Sequence, residues 1–302
     1  MAWLRNLFSI KAVSAILSSF GMLWLTVQIT KFFFEKTLIF QTPLPDAIRE
    51  QWLLFALAGF IIAAAKCRPR LSVSHKLNGR DITIEIAIAD IFSLPGALII
   101  GCNTTFDTRI SRELISERSV QGVFTRKYYD GETQLDAEIA PGLAGAPGED
   151  LTGQRIGKAK RYSMGHCVRL NPKQRTAYLL AIADINEHGV AGGTFDGLKD
   201  SLAKLWVFIG KRGAKDPLLI PVLGTGFGRL PQTREEVIRE TIKSFIAACA
   251  EKTLADKLTI VITPQDMQKH RISFDELGSF LRHQCMYTAF SGANQQALGT
   301  PA

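Results

Sequence analysis

An apolar run from Pro217 to Leu223 leads into Gly224-Thr225-Gly226-Phe227-Gly228, and beyond that loop stand Pro231, Thr233 and Glu236. The run reads as a buried strand. Thr233 with Glu236 three residues on is a capping box that opens a helix. Strand, glycine loop and helix start in succession are how α/β proteins turn backbone N–H groups toward a phosphate. The glycines allow φ > 0 and let an anion approach the main chain closely. A plain tight turn would look the same. The G-x-G-x-G spacing matches neither the dinucleotide fingerprint nor the P-loop.

Strands and helices alternate around this unit. Leu71 to Leu77 reads as a strand, Asn78-Gly79 as a hairpin turn, and Ile82, Ile84, Ile86 and Ile88 as one face of a half-buried strand. Ala97 to Ile100 is a buried strand that ends at Gly101-Cys102-Asn103-Thr104-Thr105. Asp107 is expected to cap a helix carrying Ile110, Leu114 and Ile115. Further helices are expected around Val123 to Tyr128 and over Glu132 to Ile139, then a glycine- and proline-rich mobile loop over Pro141 to Gly157. Arg161 to Leu170 and Thr176 to Ile185 read as strands joined at Asn171-Pro172. Thr194 caps a helix with Leu198, Leu202, Leu205, Trp206 and Ile209 on one face. A helix over Thr233 to Glu251, a strand over Leu258 to Ile262, and a last helix opened by Ser273 and Glu276 complete the pattern. This alternation predicts a layered α/β domain with a mixed sheet over residues 71–286. Residues 287–302 are rich in Gly, Ala and Gln and are predicted to be a disordered tail.

The first 70 residues are of another kind. Ala12 to Thr30 holds no charge, and as a helix it would rise roughly 28 Å, close to the thickness of a bilayer's hydrocarbon core. It is too long for a signal peptide and no A-x-A cleavage site follows it. A second run, Trp52 to Ala65, is short for a span unless it extends back to Ile48 and Lys66 snorkels. Otherwise it is a re-entrant or interfacial helix. The expectation is two spans, at about residues 12–30 and 48–66. Arg5 and Lys11 precede the first run, and Lys66, Arg68 and Arg70 follow the second. These basic flanks place both ends in the cytoplasm and the Thr42-Pro43-Leu44-Pro45 turn outside. Ser18, Ser19, Gly21 and Gln28 could mediate helix–helix contact within the membrane.

The formal net charge of +8 suits a nucleic acid, an anionic membrane or a phosphorylated ligand. No dense lysine and arginine block argues for nucleic acid. The five cysteines, Cys67, Cys102, Cys167, Cys249 and Cys285, are scattered and odd in number, as in a reduced compartment. The histidines are isolated, and no metal-ligand spacing is present.

Three positions share one logic. Asp90 follows a strand, Asn103 ends the next, and the glycine loop ends a later one. Ligands of open α/β sheets bind at such strand ends. Asp90 can accept from an exocyclic amine; Asn103 offers an acceptor and two donors to a ribose diol. Ser119-Val120-Gln121-Gly122 and Gly224 to Gly228 can line a diphosphate from two sides. Asp184, Phe106, Phe227 and Arg229 are secondary candidates, each with an equally good structural role. Asp107 is a helix cap first; as a hydrolase acid it would need a positioned water and a partner.

This order resembles the macro domain, the ADP-ribose-binding module, with a three-layer α/β/α fold and a mixed sheet. Gly157 to Leu170 also looks like the stretch that precedes that domain's central strands. The resemblance implies adenine at Asp90 and Ile91, a distal ribose at Asn103 and Thr104, and diphosphate between Ser119, Val120, Gln121, Gly122 and Gly224, Thr225, Gly226, Phe227, Gly228. Two departures put catalysis in doubt: the usual Asn-Ala-Ala-Asn is Asn103-Thr104-Thr105-Phe106, and the first loop is not a run of glycines. With a transmembrane hairpin in front, the chain resembles the membrane-anchored macro-domain effectors of the type II Thoeris antiphage system. That resemblance implies a non-enzymatic antiphage effector that needs neither cofactor nor metal. An ADP-ribose derivative made by a TIR-domain protein would trigger homo-oligomerisation and damage to the bacterial inner membrane. The alternative is a membrane-tethered ADP-ribosyl hydrolase.

Overall fold

The computed structural model describes residues 10–34, 38–39, 42–43, 52–66, 71–111, 114–152, 156–185, 191–212, 215–224 and 230–288. The chain divides into two units, Met1–Arg70 and Leu71–Ala302.

In the first unit, helix α1 (Ile10–Phe34) is followed by a two-residue ribbon, β1 (Leu38–Ile39) with β2 (Thr42–Pro43), and by helix α2 (Trp52–Lys66). The two helices pack on each other, with Gly59 so close that a Cβ there would lie 3.0 Å from Phe20. Ser19 and Ala63 are buried, whereas Leu17, Met22, Trp24, Leu25, Leu53, Phe60 and Ile61 are exposed. Large apolar residues on the outside, with Ser19 and Ala63 inside, are the inverse of a water-soluble helix pair. Of the small or polar residues expected at that contact, Ser19 is buried and Gly21 has open space around it. Among the described residues one helix is long and apolar enough to cross a membrane, over Ile16–Phe33. Helix α2 has 15 residues, a rise of about 22 Å against a hydrocarbon core of about 30 Å. Residues 48–51, which were to lengthen it, lie outside the described residues.

The second unit is built on one mixed sheet. Its strands are β3 (Ser72–Lys76), β4 (Thr83–Ile88), β5 (Ala97–Asn103), β8 (Cys167–Leu170), β9 (Ala177–Ile185), β10 (Ala191–Gly192), β11 (Leu218–Pro221) and β12 (Lys257–Ile262). A separate ribbon pairs β6 (Gly148–Asp150) with β7 (Lys160–Tyr162). The sheet order is β10-β9-β5-β11-β12-β4-β3, with β8 antiparallel to β9. Strands β9, β5, β11, β12 and β4 are mutually parallel, and β3 closes the far edge antiparallel to β4.

Alternation along the parallel strands builds a core on each face. Ile99, Tyr178, Leu180, Leu218, Ile220, Leu258 and Ile260 pack on one side with Leu202, Trp206, Ile242, Phe245 and Leu281. Those partners come from helices Phe195–Arg212 (α5), Arg234–Glu251 (α6) and Phe274–Tyr287 (α8). Leu98, Ile100, Cys102, Leu179, Ala181 and Leu219 pack on the other side with Phe124, Leu135 and Ile139. These last belong to helices Val120–Tyr128 (α3) and Glu132–Leu143 (α4). The result is the expected three-layer α/β/α sandwich.

Local expectations fail in three places. Asp107 caps no helix: the chain turns at Thr104-Thr105, and Ile110 bridges to Ile115. The reason is that Asn103, Thr105 and the distant Lys158 N–H claim the Asp107 side chain. The loop expected over 141–157 instead carries the end of α4 and strand β6. The strand expected over 161–170 breaks at Gly165, whose φ of +80° lets the chain pass close to Ser201. A short helix, Pro264–Lys269 (α7), also went unread, although Thr263 caps it and Pro264 begins it. The last helix reaches Tyr287, and residues 289–302 lie outside the described residues.

The capping box at Thr233 is formed: Glu236 N–H donates to Thr233 Oγ1 (3.3 Å), and Thr233 N–H to Glu236 Oε2 (2.8 Å). That hydrogen bond holds the Glu236 carboxyl below its usual range. Removing the cap with Thr233→Ala should destabilise the domain by about 1 kcal/mol. A depressed carboxyl pKa stabilises above the unfolded value and loses that effect as pH falls through the folded one. Thr233 Oγ1 also donates to Glu236 Oε2 (2.9 Å) and helps to lower that pKa. Thr233→Ala removes this bond, so the melting-temperature gap between wild type and variant, followed by circular dichroism, should narrow in acid.

Candidate functional site

Because β9, β5, β11, β12 and β4 run in parallel, their carboxyl ends share one edge of the sheet, in that order. Asp90 lies two residues past β4, Asn103 is the last residue of β5, and Gly224 lies just past β11. Strands β5 and β11 are neighbours, and β12 alone separates β11 from β4, so the three positions fall within about 15 Å along the edge at about 4.8 Å per strand. The 3-10 turn Ile91–Ser93 after Asp90 touches β11. Asp90 is exposed, and its carboxylate accepts one bond, from Phe92 N–H (3.0 Å). Ile91 is buried.

Asn103 is 5% exposed and already engaged. Its Nδ2 donates to Asp107 Oδ2 (2.9 Å), and its Oδ1 accepts from Asp107 N–H (3.0 Å). The expectation that Asn103 turns an acceptor and two donors toward a ligand is therefore corrected. Its carbonyl side faces Asp107, and one N–H remains. Thr104 donates from Oγ1 to Asp184 Oδ1 (2.7 Å), which ties the end of β5 to the end of β9. Phe106 adopts φ +52° and is fully buried, with ring contacts to Tyr162 and His166.

Ser119 caps α3: its Oγ accepts from Gly122 N–H (2.9 Å) and donates to Ser116 O (2.7 Å). Its own N–H bonds Ser116 O as well. Two of the four residues expected to offer N–H groups to a diphosphate thus use them within the turn. Gln121 is buried, and its Nε2 donates to Asp107 O (2.7 Å), so the turn that begins α3 is joined to Asn103 through Asp107. At the other loop, Gly224 has φ +71° and its carbonyl accepts from Leu230 N–H (3.0 Å), which pins the two ends together. Thr225, Gly226, Phe227, Gly228 and Arg229 lie outside the described residues.

A family model described as "Thoeris protein ThsA, Macro domain" matches residues 84–263, from β4 to the end of β12. The chain belongs to the ThsA macro-domain family. It is 24% identical over 217 residues to Thoeris protein ThsA of Bacillus amyloliquefaciens (strain Y2), covering 69% of this chain and 70% of the relative. Solved structures similar to it include the Oceanobacillus iheyensis macrodomain with ADP, at 14% identity over 70% of this chain and 94% of that one, with a TM-score of 0.45. The Trypanosoma brucei macrodomain in complex with ADP-ribose is similar at 16% identity over 64% of this chain and 69% of that one, with a TM-score of 0.44.

The macro domain has a cavity of about 350 Å³ beside the β5 and β9 ends, lined by Thr104, Glu149, Arg161, Tyr162 and Asp184 among others. Arg161 bridges Asp184 (3.1 Å) and Glu149 (2.6 Å) there. Of the expected residues, Thr104 and the secondary candidate Asp184 line it. Burial pushes the Cys102 and Cys167 thiols up, so neither is a ready nucleophile, and burial also lowers the His166 pKa. Among the described residues no group of His, Cys, Asp and Glu could hold a metal. Sequence reasoning missed Gln121's side-chain role, Lys158 and Arg161, which reach the site from distant segments without a local signal.

Gly122 has no room for a side chain: a Cβ would lie 2.2 Å from Ser116 O. Gly122→Ala should destabilise the domain by about 1–3 kcal/mol in denaturant titrations, as overpacking does. Gly131→Ala, which would meet nothing within 4 Å, should cost far less.

Proposed function

We propose that the macro domain binds an ADP-ribose-type nucleotide laid along the carboxyl ends of its parallel strands. Adenine would sit at Asp90 and Ile91, the diphosphate between Ser119 to Gly122 and Gly224 to Gly228, and the distal ribose at Asn103 and Thr104. The observation that carries this reading is the order of strand ends, with β4, β11 and β5 supplying those groups in the sequence of the ligand's own parts, in a chain of the ThsA macro-domain family. The ADP and ADP-ribose named for the similar macrodomains are consistent with it.

In this reading the protein is a sensor and effector of Thoeris antiphage defence, not an enzyme. A TIR-domain partner makes the nucleotide; binding favours one assembly of protomers, and the anchors then disrupt the bacterial inner membrane. Such coupling requires the ligand to bind one assembly state more tightly than the other. The outward-facing apolar residues of α1 and α2 support a lipid-embedded hairpin, and the basic flanks of the two apolar runs favour a cytoplasmic macro domain. Asp107 accepts three hydrogen bonds from within the fold, which argues against it as a hydrolase acid.

A ligand that binds only the folded state at a hundred times its Kd stabilises by about 2.7 kcal/mol. ADP-ribose should therefore raise the melting temperature of the detergent-solubilised chain, and Asn103→Ala should remove most of that rise. In cells, Asn103→Ala and Gly226→Ala should abolish killing on partner activation while membrane insertion persists. Killing that survives both substitutions would refute sensing. Turnover of ADP-ribosylated protein by the purified chain would favour the hydrolase.

A further inference from the structure

Asp107 is 1% exposed and collects donors from two segments far apart in sequence. Asn103 Nδ2 (2.9 Å) and Thr105 Oγ1 donate to its Oδ2, and the Lys158 main-chain N–H donates to its Oδ1 (2.7 Å). Its own N–H returns a bond to Asn103 Oδ1 (3.0 Å). Lys158 can approach because residue 157 is glycine, at φ +113°, where a Cβ would lie 2.6 Å from Asp107 Oδ1.

This arrangement admits one orientation of the Asn103 amide. Flipped, it would set its oxygen against the Asp107 carboxylate and its NH2 against the Asp107 N–H. Thr105 Oγ1 covers the carbonyl side of Asn103 at 3.1 Å. A hydroxyl has one hydrogen to donate, and the shorter contact, to the charged Asp107 oxygen, takes it. What Asn103 retains for anything outside the fold is a single N–H.

Resting on the ADP-ribose-type reading above, we propose that Asp107 is a positioning residue that presents Asn103 to the ligand as a donor only. The strand end then reads an acceptor oxygen, a hydroxyl of the distal ribose, and is blind to a donor. Asp107 itself touches no ligand and acts through Asn103.

The test is calorimetric titration of the detergent-solubilised full chain with ADP-ribose and with ADP, which lacks the distal ribose. Asp107→Asn should weaken ADP-ribose about tenfold, the equivalent of one hydrogen bond, and leave ADP unchanged. Asn103→Ala combined with Asp107→Asn should bind ADP-ribose no more weakly than Asn103→Ala alone, since residues that act as a unit are not additive. Equal weakening of both ligands by Asp107→Asn, or additive effects in the double variant, would overturn the proposal. If Asp107→Asn does not fold, Thr105→Val removes a donor to the same carboxylate and carries the same comparison. If the unsubstituted chain binds both ligands equally, the positioning role fails and nucleotide binding stands; if it binds neither, the functional reading fails and the proposal with it.

Discussion

Five parallel strands covered on both faces are the constraint from which the rest of the macro domain follows. A parallel pair cannot be closed by a tight turn, so the chain must cross back over the sheet between strands. Here α5 connects β9's side of the sheet to β11, and α6 connects β11 to β12. Those returns bury Trp206 and Phe245 against the sheet, in edge-to-face contact with each other. They also leave every carboxyl end on the same edge. The candidate site is a by-product of that directionality: Gly224 lies more than a hundred residues beyond Asp90 and Asn103 in sequence, and all three share one rim.

The rim is held by buried polar groups that satisfy one another. Asp107 takes bonds from Asn103, Thr105 and Lys158, and its carbonyl takes one from Gln121. The Lys158 ammonium in turn bonds Phe106 O and Asp136. Buried polar atoms left unpaired are costly, whereas a complete network fixes one conformation. Phe106 at φ +52° is held inside this network, with Tyr162 and His166 against its ring. The first unit solves the opposite problem. Its two helices bury Ser19 and Ala63 and leave large apolar residues such as Leu17, Trp24 and Phe60 exposed.

Most of the fold was legible because burial imposes a period. Tyr178, Leu180 and Ile182 alternate with Leu179 and Ala181 across the sheet, and Leu198, Leu202 and Leu205 follow a helical repeat. Caps were legible too, since Thr233 and Ser273 act on amides three residues away. The failures cluster where a residue's partner is remote. Asp107 has the chemistry of a helix cap, but the Lys158 N–H, from 51 residues away, claims its Oδ1. The glycine and proline of 141–157 suggest a loop, but β7 offers Gly148–Asp150 a ladder to pair with.

By itself the amino-acid sequence determined the run of strands and helices and the strand ends that carry the candidate site, because each depends on neighbours within a turn or a pleat. Only the tertiary structure decided how those ends are ordered along the rim and which atoms of Asn103 remain free. Those outcomes depend on hydrogen bonds such as Lys158 to Asp107, between groups brought together by the folded sheet. No local pattern encodes such a contact, since it exists only once the layers have packed.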